Sequence, residues 1–141
     1  MADQPTIDRL LREAVCSGAE FGARYDLRLE MRDQGPTLVV SGSLLQDIPE
    51  DFSDRLKAAL DALKAPAVFI DLAKCEAVAS TALAFLVHVQ RMATAAGAES
   101  VSIQQPQPRV LALLRLLGLS EIFHLASTAR FAYRTPRPPA R

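Results

Sequence analysis

Between Tyr25 and Ile122 the chain switches repeatedly between two hydrophobic periods, and this alternation restricts it to folds in which strands and helices take turns. Tyr25-Asp26-Leu27-Arg28-Leu29-Glu30-Met31-Arg32 alternates apolar and polar residues, as a half-buried strand does. Asp33-Gln34-Gly35-Pro36 turns the chain and Leu38-Val39-Val40 continues it, so the pair reads as a hairpin whose second strand closes at Gly42. Pro49-Glu50-Asp51 opens a helix with acids at its positive end and an apolar face of Phe52, Leu56, Ala59, Leu60 and Leu63, which Pro66 ends. Ala67-Val68-Phe69-Ile70 is an uninterrupted apolar run of strand length, expected to be buried on both faces. A short loop follows, then a helix from Ser80 to about Ala96 with Gly97 as its stop. Val101-Ser102-Ile103 predicts a strand, and Pro106 or Pro108 starts a helix over Arg109 to Leu117 that Gly118 stops. Ile122-Phe123-His124-Leu125 reads as a last short strand or extended arm.

Ahead of this series, residues 5–17 read as an amphipathic helix with Ile7, Leu10, Leu11 and Val15 on one face and Gly18 as its stop. Strands separated by helices require crossovers and a largely parallel sheet, with the hairpin on one side. The expected fold is therefore a single α/β sandwich: a mixed central sheet with helices, preceded by a helical extension. The divisions are 1–21 for the extension, 22–128 for the domain, and 129–141 for a basic, proline-rich tail whose TPRPPAR ending is expected to be disordered.

At 141 residues, half of them apolar and about a quarter charged, the composition is that of one folded domain. No run approaches the roughly 18 apolar residues that span a bilayer, and MADQPTIDRL lacks the features of a secretory signal. Cys16 and Cys75, far apart, make neither a disulfide framework nor a metal site, so a cytoplasmic location is expected. The zero net charge is split, −5 over residues 1–62 and +5 over residues 63–141. Arg130, Arg134, Arg137 and Arg141 gather at the end, but they alternate with prolines and lack a stacking platform, so a solvated tail is expected and no nucleic-acid binding.

Catalysis needs convergent acids, bases or nucleophiles, and the sequence offers few. His88 shares a helix face with Arg91, where exposure is expected; His124 reads as a surface or edge-strand residue. Asp71 ends the apolar run without an evident partner and reads as a turn former. Cys75 has a neighbouring cation, Lys74, but no general base. There is no glycine-rich phosphate loop, nucleophile elbow or metal-ligand spacing, so neither an enzyme nor a cofactor is expected. What remains is Ser80-Thr81 at a helix mouth. Either hydroxyl suits an N-cap, worth about 1 kcal/mol. A phosphate there would also meet free N–H groups and the positive end of the helix dipole. The helix behind, Ala82-Leu83-Ala84-Phe85-Leu86-Val87, is apolar around most of its circumference; it is either buried on two sides or offers an apolar patch to a partner.

Over roughly residues 25–126 the order of elements and several short motifs resemble the STAS domain of bacterial anti-sigma-factor antagonists. The resemblance rests on Val68-Phe69-Ile70-Asp71-Leu72, Ala79-Ser80-Thr81-Ala82-Leu83 and Gly97, then on Pro106-Gln107-Pro108-Arg109-Val110-Leu111, Leu116-Leu117-Gly118-Leu119 and Ile122-Phe123. It implies a non-enzymatic regulator that binds a serine-kinase anti-sigma factor and is switched by phosphorylation. Carried over, the phosphorylated residue is Ser80, with Thr81 as second candidate. The partner surface would comprise the loop with Lys74, Cys75, Glu76 and Ala79, then Ser80, Thr81, Ala82, Leu83 and Phe85. The sequence departs from the family where aspartate and glycine flank the hydroxyl pair, here Ala79 and Ala82, and where an acid follows the second strand, here Leu45. Ala82 would add a methyl group where a partner backbone comes close. These departures keep a second reading open, a STAS scaffold without phosphorylation or an accessory subunit of a lipid-transporting ABC complex. The helix at 5–17 lies outside the resemblance and is expected to pack on the sheet or mediate self-association.

Overall fold

The computed structural model describes residues 3–20, 23–119 and 122–126. The chain order is α1 (Gln4–Glu13), β1 (Val15–Glu20), β2 (Ala23–Arg32), β3 (Gly35–Leu44), α2 (Glu50–Leu63), β4 (Ala67–Val78), α3 (Ser80–Ala95), β5 (Ser100–Gln104), α4 (Pro108–Leu116) and β6 (His124–Ala126). The strands form one mixed sheet in sequential order, β1 to β6. The β1–β2 and β2–β3 pairs are antiparallel, and β3, β4, β5 and β6 run parallel, joined by helical crossovers. This is the expected α/β fold with a helical extension. The tail at 129–141 lies outside the described residues, and His124 falls on the edge strand expected for it.

The first difference from the sequence reading lies at the start of the chain. The first helix ends at Glu13, and Cys16 to Gly18 lie in an additional strand, β1. Leu11 and Val15 are four residues apart and mimic one more helical turn, but Ala14 leaves helical geometry at φ −86°, ψ 61°. Arg55 of α2 holds this junction: its Nε donates to the Glu13 carbonyl at 2.8 Å and its guanidinium to the Val15 carbonyl at 3.1 Å. Gly18 is not a helix stop; a Cβ there would lie 2.6 Å from the Tyr25 ring. Asp3 caps α1 by accepting from the Thr6 amide at 3.0 Å, a bond that holds its carboxyl below its ordinary pKa. The apolar stripe of α1 packs towards the core, leaving Ile7, Leu10 and Leu11 half-buried, so the face turned to solvent is the polar one.

The second difference concerns the sheet. The apolar run in β4 is buried on one face only: Val68 and Ile70 are buried while Phe69 between them is half-exposed. One core joins Leu27, Leu29, Leu38, Val40, Ile70 and Ile103 of the strands to Phe52 and Leu56 of α2, Leu86 and Val89 of α3, and Val110 and Leu114 of α4. The helices thus cover one side. Burying each such side chain contributes about 1.5–3 kcal/mol. The other side carries Arg28, Glu30, Arg32, Asp71 and Gln104, with Thr37 and Val39 shielded at its centre. There Arg32 bridges Glu30 at 2.8 Å and Asp71 at 2.7 Å. Asp71 is therefore a mid-strand residue with a partner, not a turn former. Its other oxygen accepts from the Ala73 amide at 2.9 Å.

Candidate functional site

The segment expected to be a loop, Lys74 to Ala79, is strand as far as Val78. Its disguise is two extra residues. Against β3 the register slips between Val39 and Ser41 and again between Gly42 and Ser43, each time with one more residue on β4. Burial accordingly follows Val68, Ile70, Leu72, then Cys75, then Val78: the period lengthens from two to three at each bulge. Both bulges are tied. At the first, the Ala73 amide is held by Asp71 and the Ala73 carbonyl accepts from Gln107 Nε2 at 2.6 Å. At the second, Cys75 Sγ donates to the Ala77 carbonyl at 3.6 Å. The strand ends where the Ala79 amide donates to the Leu44 carbonyl at 2.9 Å.

The helix mouth differs from expectation in one residue that matters. The N-cap of α3 is Ala79, in extended geometry at φ −83°, ψ 160°, with no side-chain cap. Ser80 and Thr81 are the first two helical residues, and both are exposed. Their hydroxyls do not cap. The Ala79 carbonyl accepts from the Ala82 and Leu83 amides at 3.0 Å each. The Ser80 and Thr81 amides have no hydrogen-bond partner among the described residues. The result is two free donors at the positive end of a 16-residue helix, beside two hydroxyls.

Of the nine residues read as a partner surface, the structure separates two groups. Lys74, Glu76, Ser80 and Thr81 are exposed and Ala79 is half-buried. Cys75, Ala82, Leu83 and Phe85 are core residues, from 0 to 8% exposed, and this corrects their assignment as contact side chains. Phe85 packs against Phe52 with ring centroids 6.0 Å apart. Burial pushes the Cys75 thiol up to about 11, the Ala77 hydrogen bond offsetting part of that and the Glu76 charge adding to it. Ala82 fills core volume, so its methyl group does not face a partner. Ala79 and Leu45 form the rim, Leu45 being 49% exposed. That rim is apolar where the resemblance implies acids.

His88 and Arg91 are exposed, as expected. Among the described residues no three His, Cys, Asp or Glu converge as a metal site, and no helix is long and apolar enough to cross a membrane. Arg32 and Gln107, which hold the first bulge, escaped the sequence reading. Arg32 is 39 residues from its partner Asp71, so no local pattern links them. Gln107 carried a faint signal, a long amide at a helix start where a short capping side chain is usual.

Comparison with known proteins agrees with this architecture. No curated protein matches the chain in sequence. Among solved structures, an anti-sigma factor antagonist from Mycobacterium paratuberculosis superposes with a TM-score of 0.52 at 23% identity, covering 72% of this chain and 84% of that one. A Thermotoga maritima protein designated an anti-sigma factor antagonist gives 0.55 at 16% identity, covering 70% and 84%. These likenesses establish the fold. The family described as Mlab, STAS domain matches residues 27–126, from the second strand to the last. With that match covering most of its length, the chain belongs to the STAS domain family, whose anti-sigma-factor antagonists are non-catalytic modules.

Proposed function

We propose that the chain is a cytoplasmic protein-interaction module of the anti-sigma-factor antagonist type, which docks a serine-kinase anti-sigma factor on the edge formed by Lys74, Glu76, Ala79, Ser80 and Thr81. Phosphorylation of Ser80 switches that contact, with Thr81 as the second acceptor. The observation that carries this reading is the exposed Ser80 hydroxyl beside unpartnered helix amides, on a helix whose next turn is locked in the core. A phosphate there adds about two negative charges, which the free amides and the helix dipole offset. The fold would thus tolerate a modification that alters the docking edge. The test is incubation with ATP and the anti-sigma-factor kinase of the same cell, followed by intact mass. One phosphate is expected on the wild type and none on Ser80→Ala; a wild type that stays unmodified refutes the switch.

The second reading is an unmodified scaffold or an accessory subunit of a lipid-transporting ABC complex. It is favoured by the apolar rim of Ala79 and Leu45, which removes the acids the antagonist pattern implies. Co-purification from the native cell separates the two: a soluble kinase supports the first, a permease and its ATPase the second.

A further inference from the structure

Next to the Ser80 edge, with which it shares Glu76, the surface carries a two-part groove between α4 and the end of β4. Its apolar part, about 330 Å³, is lined by Ala77 and Val78 on the strand and by Val110, Ala112, Leu113 and Leu116 on the helix, with Arg109 at one end. Its polar part, about 470 Å³, is lined by Glu76, Gln107, Pro108 and the same Arg109. Leu116 is 80% exposed, the most of any large apolar residue described, and the adjacent Leu117 is 49% exposed. Leaving such side chains in water forgoes the burial energy that a partner would recover.

The charge pattern selects the occupant. From Ser100 to Leu119 the only charged residues are Arg109 and Arg115, both exposed and neither in an ion pair among the described residues. The start of α4 is also electropositive. Its N-cap residue Gln107 spends its side chain on the Ala73 carbonyl rather than on its own helix. Pro108 has no N–H, and the Arg109 and Val110 amides have no backbone partner among the described residues. Glu76 is the one acid at the polar end. The chain's own C-terminal segment, with four arginines in residues 130–141 and no acid, has the wrong sign to be drawn there.

We infer that this groove binds an acidic amphipathic segment of a partner protein, with leucine-sized side chains against Val78, Leu113 and Leu116 and a carboxylate at Arg109 and the uncapped start of α4. The partner's contact thus continues from the Ser80 edge into an apolar slot that neither hydroxyl lines. Exposed ion pairs contribute little on their own. Here the apolar slot provides affinity and Arg109 sets the charge and direction of the guest.

The experiment is an NMR titration of the full, isotope-labelled chain with two capped amphipathic peptides, one carrying leucines opposite glutamates and the other leucines opposite lysines. The glutamate peptide is expected to shift the amides of Ala77, Val78, Leu113 and Leu116, and the lysine peptide to leave them in place. Arg109→Glu and Leu116→Glu should each weaken the glutamate peptide about tenfold, while Glu76→Gln tightens it. Both leucine and arginine are exposed, so these variants keep the fold. Equal binding of the two peptides, shifts confined to other surfaces, or unchanged affinity in Arg109→Glu would overturn the assignment. So would a dimer in sedimentation that Leu116→Glu abolishes, since a second copy would then fill the groove. Movement of the same amides on Phe131→Ser would place the chain's own C-terminal segment there instead. The peptide titration uses neither a kinase nor a phosphorylated chain, so a failed phosphorylation assay leaves this outcome separately readable.

Discussion

Ala79→Asp is the most informative single change in this chain. Ala79 occupies the N-cap of α3 with its backbone already in the extended geometry that capping requires, so the new side chain needs no backbone rearrangement. Its carboxylate would accept from the free Thr81 amide and lie at the positive end of the helix dipole. Replacing alanine by aspartate at such a position stabilises by about 1 kcal/mol. For a chain of this length that raises Tm by about 3 °C. The companion changes have the opposite logic. Ser80→Ala and Thr81→Ala remove hydroxyls that cap nothing, so each should lie within about 0.5 kcal/mol of wild type. Urea unfolding of the three variants, compared at constant m, reads all of this in one series. If Ser80→Ala costs about 1 kcal/mol and Ala79→Asp gains nothing, the helix begins one residue later with Ser80 as its cap, and the free amides invoked for the phosphate seat do not exist.

Three further predictions concern the surroundings of the site. Iodoacetamide at pH 8 should label Cys16 in the native chain and reach Cys75 only on unfolding. Cys75 is fully buried with its thiol pushed up to about 11, which leaves about one thiolate in a thousand; peptide mass spectrometry checks it. Arg32→Gln should cost about 1–2 kcal/mol at pH 7, between the values for exposed and buried pairs. Arg32 holds the Glu30 carboxyl below its ordinary value, so that part of the contribution is present above pH 4.5 and fades as pH falls through the folded-state pKa. Urea midpoints that differ equally at pH 7 and pH 3 would contradict it. Gly42→Ala should cost about 3 kcal/mol or more, because φ is +85° and a Cβ would collide with the Arg24 carbonyl; a thermal melt within 2 °C of wild type would refute the stated clash.

How much of this was legible depended on how local each signal was. β2, α2 and α3 announced themselves because their hydrophobic periods are regular and proline or glycine marks a boundary. Val15 to Glu20 stayed hidden because a short edge strand of small residues carries almost no period, and Val15 extends the stripe of the preceding helix. The end of β4 was misread as a loop for a different reason. Two bulges turn its period from two to three, and no strand template expects Leu72, Cys75 and Val78 on one face. At the site, the hydroxyl pair is legible, but the cap that it suggests is not formed: the helix starts one residue earlier, with Ala79 as N-cap, and a one-residue shift in helix start lies below the resolution of capping propensities. The buried members of the supposed partner surface were misassigned because an all-round apolar helix looks the same whether its first turn faces a partner or a sheet. The charged clamp on Asp71 joins distant residues and left no trace in the sequence.

The sequential strand order has a consequence for how the chain comes into being. Each strand pairs with the one synthesised just before it, so the sheet can grow at one edge, that of the newest strand. The hairpin of β2 and β3 can form first and act as a template for β4, and β4 in turn for β5. The two bulges then act as register locks: a strand that slid by one residue would swap its core and solvent faces and leave Asp71 out of reach of Arg32. Growth in that order, checked at each addition by an ion pair or a buried side chain, would leave a small sheet with helices on one face among the described residues little opportunity to pair with a neighbour before it is complete.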